Sequence, residues 1–203
     1  MKVTKAQAQA NRTHVVETAS ELFRERGFDG IGVADLMAAA GFTHGGFYKH
    51  FGSKADLMAE ATACGIAKTI ALSDGVDAPT FVEHYLSRAH RDARATGCTL
   101  AALGSDAARQ PESVRVALED GVETLVATLM RSNGASGAAD DAQARSRILD
   151  ALAHAVGALV LSRACPDDSP LADEILAVGR EAILESLRPK QAVKAAPRRR
   201  NAD

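Results

Sequence analysis

The sequence has no tryptophan, few aromatic residues and only three cysteines, and each shortage excludes a class of protein. Aromatic residues make up 4% of the 203 residues, and β-branched runs are absent, so a chain dominated by Ala and Leu is predicted to be helical almost throughout. Cys64, Cys98 and Cys165 are odd in number and lack the spacing of metal ligands, which argues against a disulfide framework or a zinc site. We therefore expect an all-α protein without a metal or another cofactor.

Long apolar runs and local catalytic motifs are also missing. No apolar run approaches the roughly 20 residues that a membrane-spanning helix needs. Residues 1–10 are polar and basic and contain no apolar signal core. No Ser-His-Asp or Cys-His arrangement has local spacing, and no glycine loop for phosphate is present. We expect a cytoplasmic protein that does not bind membranes and is not an enzyme.

The formal net charge of −2 hides an uneven distribution. Residues 188–203 carry six basic side chains against Asp203 alone, and the first acidic residue of the chain is Glu17. Two basic ends therefore flank an acidic body. This pattern indicates phosphate contacts at particular segments and not a generally adhesive surface.

The densest signal lies in residues 41–54, where a turn is followed by a short helix with two aromatic and several cationic side chains. Helices are predicted at residues 11–27, 33–40, 44–50 and 54 to about 72. Thr43 is placed to cap the third helix, and Ser53 is placed to cap the fourth. Helix, glycine-containing turn and short helix together make the layout of a helix-turn-helix.

Residues 11–60 resemble the DNA-binding domain of the TetR (tetracycline repressor-like) family of transcriptional regulators. The resemblance is carried by the pairs and strings Gly27-Phe28, Ala40-Gly41-Phe42 and Thr43 to Lys54. Gly32 departs from the family pattern where Thr or Ser usually caps the second helix, and His44 stands where Arg or Lys is common. The resemblance implies an N-terminal three-helix DNA-binding domain followed by an all-helical ligand-binding and dimerisation domain.

The candidate DNA-binding residues are Thr43, His44, Gly45, Gly46, Tyr48, Lys49, His50 and Lys54. In a helix-turn-helix the N-terminal residues of the recognition helix face base edges, which here means residues 43–46. The resemblance implies that Tyr48 contacts phosphate and that Lys49 contacts phosphate or a base, and Lys54 is a candidate phosphate clamp. Two alternatives stay open: His50 fits a buried imidazole at least as well as a DNA contact, and the two glycines could serve helix packing alone.

The rest of the chain has the texture of longer amphipathic helices, predicted at about 79–95, 98–109, 111–132, 141–165 and 168–188. We divide the chain into a basic arm, a helix-turn-helix domain, a ligand-binding and dimerisation domain and a disordered basic tail, at residues 1–10, 11–58, 59–188 and 189–203. Lys2 and Lys5 in the arm are candidates for contacts to phosphate or to the minor groove.

Apolar stripes on the last two helices are predicted to form a two-fold four-helix dimer interface. The candidate residues are Ile148, Leu152, Ala155, Val156, Leu159, Leu171, Ile175, Val178 and Ala182. The alternative, in which both stripes face the core of their own chain, is left open by the sequence. Two recognition helices that bind a palindrome favour the dimer.

Ligand binding is implied by the resemblance, and a small, largely apolar effector is preferred because the apolar faces carry no strong charge cluster. The candidate residues are Phe81, His84, Tyr85, Cys98, Leu103, Asp106, Leu125 and Met130. Cys98 follows Gly97 at a predicted helix start, where a thiol pKa can be lowered, so it is the best of the three cysteines as an electrophile or oxidant sensor. A purely structural cysteine is the alternative.

The leading hypothesis is a homodimeric, ligand-responsive repressor that binds a palindromic operator in double-stranded DNA and is released by a small-molecule inducer. The competing hypothesis is a small helical ligand carrier or enzyme that has kept a vestigial helix-turn-helix. The cationic face of residues 43–54 discriminates between them, because a carrier has no use for it.

Overall fold

The computed structural model describes residues 4–73, 75–132 and 138–187, and every regular element within these ranges is helical, as predicted. The elements in chain order are α1 (Lys5–Arg26), α2 (Val33–Ala39), a 3₁₀ helix (His44–Lys49), α3 (Lys54–Ser73), α4 (Ala78–Tyr85), α5 (Arg88–Asp92), α6 (Thr99–Ala107), α7 (Glu112–Ser132), α8 (Ala138–Ala164) and α9 (Pro170–Leu187). Lys2 and the predicted tail at 189–203 lie outside the described residues.

Helix α1 begins six residues earlier than predicted. The side chain of Thr4 accepts a hydrogen bond from the Gln7 backbone at 3.1 Å and caps the helix at Lys5. Residues 5–10 therefore belong to α1, and the predicted helix start at residue 11 is wrong. The apolar periodicity begins only at Val15. The first turns of α1 are exposed to solvent and carry no apolar pattern, so the sequence does not reveal where the helix begins.

The turn before the 3₁₀ helix is set by Gly41, whose φ of +79° is a conformation that favours glycine. The backbone of Gly41 donates to Ala38 and that of Phe42 donates to Met37, the pair of bonds that closes a Schellman motif. The predicted caps had different outcomes. Ser53 accepts from the Asp56 backbone as expected, whereas the Thr43 side chain makes no capping bond. The Thr43 hydroxyl is thus not used by the turn.

Helix α3 contributes to two hydrophobic clusters, one around the helix-turn-helix and one among the later helices. Leu57, Met58 and Ala61 pack in the first cluster, and Ile66 packs in the second. The first cluster also contains Leu103 of α6 and Val114 of α7. The predicted boundary at residues 58 and 59 therefore falls inside a continuous helix, with shared core on both sides.

The segment predicted as one helix over 79–95 is two helices, because the chain turns at Leu86 and Ser87. The Ser87 side chain caps α5 by accepting from the His90 backbone at 3.2 Å. Arg91 of α5 is fully buried and donates to Ser162, to the carbonyl oxygens of Cys165 and Pro166, and to two carboxylates. This buried arginine fixes the break and ties α5 to the end of α8.

Arg24 of α1 links the helix-turn-helix to the start of α6. Its Nε donates to the Ala95 carbonyl at 2.7 Å, and its guanidinium also contacts the hydroxyls of Ser20 at 2.6 Å and Thr99 at 3.5 Å. Gly65 of α3 makes room for this group, because a Cβ there would come within 2.4 Å of both Arg24 and Thr99. The bonded polar group therefore requires glycine at position 65.

Among the described residues, no helix combines the length and the apolar character that a membrane span needs.

Replacing Gly65 with Ala is expected to destabilise the fold by about 1–3 kcal/mol, because the new methyl displaces groups that are hydrogen-bonded to one another. The matched control is Gly104→Ala in α6, where a Cβ meets nothing within 4 Å. That change should stabilise the fold by about 0.5–1 kcal/mol, as alanine does in a helix. Urea unfolding midpoints measure both values, and equal shifts for the two variants would contradict the packing argument.

Candidate functional site

The 3₁₀ helix presents one buried and one open face. Phe47 and Phe51 lie in the core with ring centroids 5.4 Å apart, as predicted. On the opposite face Tyr48 is 70% exposed, its ring lies 6.3 Å from that of His44, and Lys49 is exposed. No hydrogen bond or ion pair from the Tyr48 or Lys49 side chain is formed within the described part of the chain. A rigid core thus holds polar and cationic side chains towards an external partner.

Gly45 and Gly46 are not required by packing within the chain. A Cβ at Gly45 would stand in open space, and one at Gly46 would make only an ordinary contact of 3.6 Å with Met37. The alternative in which both glycines serve internal helix packing therefore has no support in the geometry. With the exposed Thr43 beside them, they leave backbone that a large partner could approach closely.

Lys54 and His50 are placed differently from the open face. The Lys54 ammonium is half-buried and donates to the Phe28 carbonyl at 2.6 Å, with the Phe23 ring at 6.0 Å. His50 is half-buried beside Phe51. Both side chains border the 3₁₀ helix His44–Lys49, the candidate recognition segment. Lys54 also makes an internal hydrogen bond, which was not expected of a phosphate clamp.

Arg12 is a positioning residue that the sequence did not single out. Its guanidinium makes a two-point ion pair with Glu60 at 2.5 Å, its Nε donates to the His50 carbonyl at 3.3 Å, and it lies 4.8 Å from the centroid of the Phe51 ring. Arg12 therefore clamps the end of the 3₁₀ helix between α1 and α3. Only the tertiary fold brings residues this distant in the chain together, so no local pattern could have identified the clamp.

A largely apolar cavity of about 390 Å³ lies among α3, α4, α7, α8 and α9. Of the candidate ligand residues, Phe81, Tyr85, Cys98 and Leu125 line it. His84, Leu103, Asp106 and Met130 do not. Leu103 packs instead in the cluster around the helix-turn-helix, and Asp106 pairs with Arg109. Leu103 and Asp106 lie away from this cavity because the inner face of α6 turns towards α1.

The candidate dimer stripe on α8 faces the interior of the chain. Leu159 is fully buried in the second hydrophobic cluster, Val156 packs against that cluster, and Ile148, Leu152 and Ala155 line the cavity. The exposed large apolar residues of α8 within the described structure are Leu149, Val160 and Leu161.

On α9 the predicted stripe does face outwards. Leu171, Val178 and Ala182 are exposed, and Ile175 is half-buried. Leu171, Ile175 and Val178, together with α8, line an open and largely apolar groove of about 410 Å³, which also includes Leu161 and Gly157. Ala182 lies outside this groove. The two helices approach closely at Gly179, where a Cβ would come within 2.9 Å of the Ala158 methyl.

His90 joins two walls of the cavity. Its Nδ1 lies 2.6 Å from the Tyr85 carbonyl oxygen, and its Nε2 lies 3.1 Å from the Cys98 backbone nitrogen. A carbonyl only accepts and a backbone N–H only donates, so Nδ1 carries the proton and the imidazole is neutral. Burial is the main cause that lowers the pKa of His90 from its ordinary value of 6.5, and the nearby Arg163 and His84 lower it further against the opposing effect of the Tyr85 carbonyl.

Residues 15–61 match the family described as bacterial regulatory proteins, tetR family. Among curated proteins, 57 residues are 39% identical to the HTH-type transcriptional regulator AcrR of Shigella flexneri. That match covers 28% of this chain and 26% of AcrR, so the similarity extends over about a quarter of the relative's length.

Two solved structures share the fold over most of the chain. The reduced form of E. coli NemR has a TM-score of 0.65 at 20% identity, over 87% of this chain and 96% of NemR. AibR, solved in complex with isovaleryl coenzyme A and operator DNA, has a TM-score of 0.52 at 17% identity, over 83% of this chain and 95% of AibR. At these identities the likeness concerns the fold.

Acidification is expected to weaken the bridge made by His90. Because its pKa is lower in the folded chain than in the unfolded one, the contribution to stability is complete above pH 6.5 and is lost as the pH falls through the folded value. The unfolding midpoint of His90→Gln should vary less between about pH 5 and 8 than that of the parent chain. His14→Gln, at an exposed position of α1, is the control, and an undiminished acid loss in His90→Gln would refute the assignment.

Proposed function

We propose, on the premise that the match of residues 15–61 to the tetR family of bacterial regulatory proteins extends to the function of the whole chain, that it is a ligand-responsive repressor. It binds a palindromic operator as a homodimer and is released by a small-molecule inducer. Operator DNA in bacteria lies in the cytoplasm, so the cytoplasm is the proposed location. The observation that carries the proposal is the open face of the 3₁₀ helix.

Three features of that face support DNA as the partner. His44, Tyr48 and Lys49 are exposed and lack internal ion pairs among the described residues, so a phosphate does not have to displace an existing partner. Buried Phe47 and the Arg12 clamp hold the segment rigidly, which reduces the entropy lost on binding. Gly45 leaves open space for close approach of the duplex. Lys49 and Tyr48 then supply phosphate contacts, and His44 supplies base discrimination.

A second copy of the chain is the proposed occupant of the α8/α9 groove. Leu161 is 59% exposed and Val178 is 58% exposed, on adjacent helices that are packed closely at Gly179. A continuous apolar groove of this kind is costly in water and is covered by a self-complementary contact about a two-fold axis. A dimer also places two short recognition segments on successive half-sites, which a single segment cannot do.

The path from the cavity to the DNA-binding helices supports the ligand-responsive part of the proposal. Cys98 lines the cavity and is the residue immediately before α6. Arg24 of α1 is bonded to Ala95 and Thr99 on either side of it. A ligand that shifts Cys98 therefore shifts a segment that is hydrogen-bonded to α1. Such a ligand releases the operator only if it binds the two conformations with different affinity.

The competing hypothesis, a helical carrier or enzyme with a vestigial helix-turn-helix, shares the cavity but not the open cationic face. A measurement of DNA binding therefore distinguishes the two hypotheses. AibR has the same fold and was solved with both a coenzyme A thioester and operator DNA, which makes the combination of the two sites in one such fold reasonable.

Selection from a randomised duplex pool tests the function directly. The purified chain at moderate salt should enrich one palindrome with half-sites about one or more helical turns apart. Ligand is left out of both the purification and the assay. If no duplex is then enriched above background, the sequence-specific regulator is rejected and the carrier is left.

Matched lysine variants identify the surface that binds. Lys49→Ala should weaken all duplexes about equally and reduce the salt dependence by roughly one unit of slope. Lys68→Ala, whose ammonium faces Glu17 and Glu21 on α1, should change neither. His44→Ala should alter the preference among sequences. Equal effects of the two lysine variants would contradict the proposed face.

The dimer is tested by introducing one charge into the groove. Val178→Glu should shift the chain to monomer in sedimentation equilibrium and abolish binding to the full palindrome, because a carboxylate would be buried without a partner. Val116→Glu is the matched control, since Val116 is 44% exposed on α7 outside the groove. A Val178→Glu protein that stays dimeric would place the interface elsewhere.

A further inference from the structure

One residue that lines the cavity has a buried polar atom without a hydrogen-bond partner among the described residues. The hydroxyl oxygen of Tyr85 is shielded from water and makes no hydrogen bond within the described structure. Tyr85 is 5% exposed and lines the cavity together with Cys98. A buried hydroxyl normally finds a partner, and leaving one unpaired carries a desolvation cost. This atom therefore marks a place where a ligand atom would complete the structure.

The other polar groups around the cavity are already used or lie at its edge. The hydroxyls of Thr69 and Ser73 donate to carbonyl oxygens of their own helix, at 3.2 and 2.8 Å. Asp77 caps α4 through the Thr80 backbone, and Arg147 is exposed. No charged side chain is buried among the cavity-lining residues. The lining thus favours an uncharged molecule, with Tyr85 as its polar contact.

The phenol of Tyr85 keeps its proton and so acts as a donor. Burial raises the pKa of Tyr85 well above its usual range, and the neighbouring Cys98 thiol adds to the shift. Sulfur is a weak acceptor, and the position of Cys98 does not complete a hydrogen bond with the phenol. A ligand oxygen is a much better acceptor for this donor.

We propose that the cavity binds an uncharged, largely apolar molecule with a single accepting oxygen, such as a ketone, and that the Tyr85 hydroxyl donates to that oxygen. This proposal rests on the ligand-responsive function above and names the chemistry of its ligand. The apolar body packs against Phe81, Leu125 and Leu152. The bound oxygen lies beside Cys98, at the point where the cavity meets the segment bonded to Arg24.

A pair of isosteric probes separates the hydrogen bond from simple apolar filling. Nonan-2-one and 2-methylnon-1-ene differ only in C=O against C=CH₂, and calorimetry gives the ratio of their dissociation constants. Tyr85→Phe removes the hydroxyl and nothing else. The ratio of ketone to alkene dissociation constants should rise about tenfold in Tyr85→Phe, relative to the parent chain. The difference in hydration between the probes cancels, since it is the same for both proteins.

The chain supplies a matched control, because Tyr48 is its one other tyrosine. Tyr48→Phe makes the same chemical change on the DNA-binding face and should leave the ratio unchanged. With no tryptophan in the chain, Tyr48→Phe also leaves Tyr85 as the single intrinsic fluorophore, whose emission should change with the ketone and not with the alkene.

An unchanged ratio in Tyr85→Phe, an equal change in Tyr48→Phe, or binding of neither probe would overturn the proposal. A marked loss of thermal stability in Tyr85→Phe would do the same, since it would show that the hydroxyl serves the fold. The duplex selection does not involve the cavity. A recovered palindrome with a failed probe test therefore refutes the ligand chemistry alone, whereas failure to recover a palindrome refutes the regulator itself.

Discussion

The contact on which the arrangement of the molecule depends is the packing of Arg24 into the space left by Gly65. Arg24 belongs to α1, whose other buried residues form the core of the helix-turn-helix, and its bonds reach the segment before α6. Helix α3 passes beside this contact and contributes apolar side chains to the clusters on both sides. The buried guanidinium needs every one of its partners, because an unpaired charge there would cost several kcal/mol. The helix-turn-helix and the segment before α6 that borders the cavity are therefore joined through this contact.

The 3₁₀ helix and the cavity differ in which polar side chains have partners within the chain. In the recognition segment, the buried aromatic residues and the Arg12 clamp hold the backbone in place. The side chains of Tyr48 and Lys49 are exposed and free to bind a partner. In the cavity the division is reversed, since among the described residues the Tyr85 hydroxyl is the buried side-chain polar atom that has no hydrogen-bond partner. In both places an unmet interaction indicates chemistry that a partner supplies. Exposure of cations favours a phosphate backbone, and an isolated donor in an apolar wall favours a small neutral molecule.

The sequence predicted the helix-turn-helix well and the later helices less well, for a physical reason. Gly41 and Ser53 act through local backbone bonds, so their roles are visible in neighbouring residues. Helix α8 is apolar on adjoining faces, with Leu159 buried and Leu161 exposed only two positions later. Periodicity alone cannot choose between such faces, and the candidate dimer stripe was placed on the inner one. The division of 79–95 into two helices depended likewise on the burial of Arg91, whose partners lie on α8 and beyond.

The sequence by itself determined the helical class, the glycine turn and the identity of the side chains on the recognition segment, because short-range bonds and burial of neighbouring aromatics decide these features. The tertiary structure alone decided that Arg12 clamps this segment, that Cys98 rather than Leu103 lines the cavity, and that the Tyr85 hydroxyl has no hydrogen-bond partner among the described residues. Each of these depends on which faces of distant helices meet. That choice is made by the packing of the whole core, where side-chain volume and hydrogen-bond partners must be satisfied together.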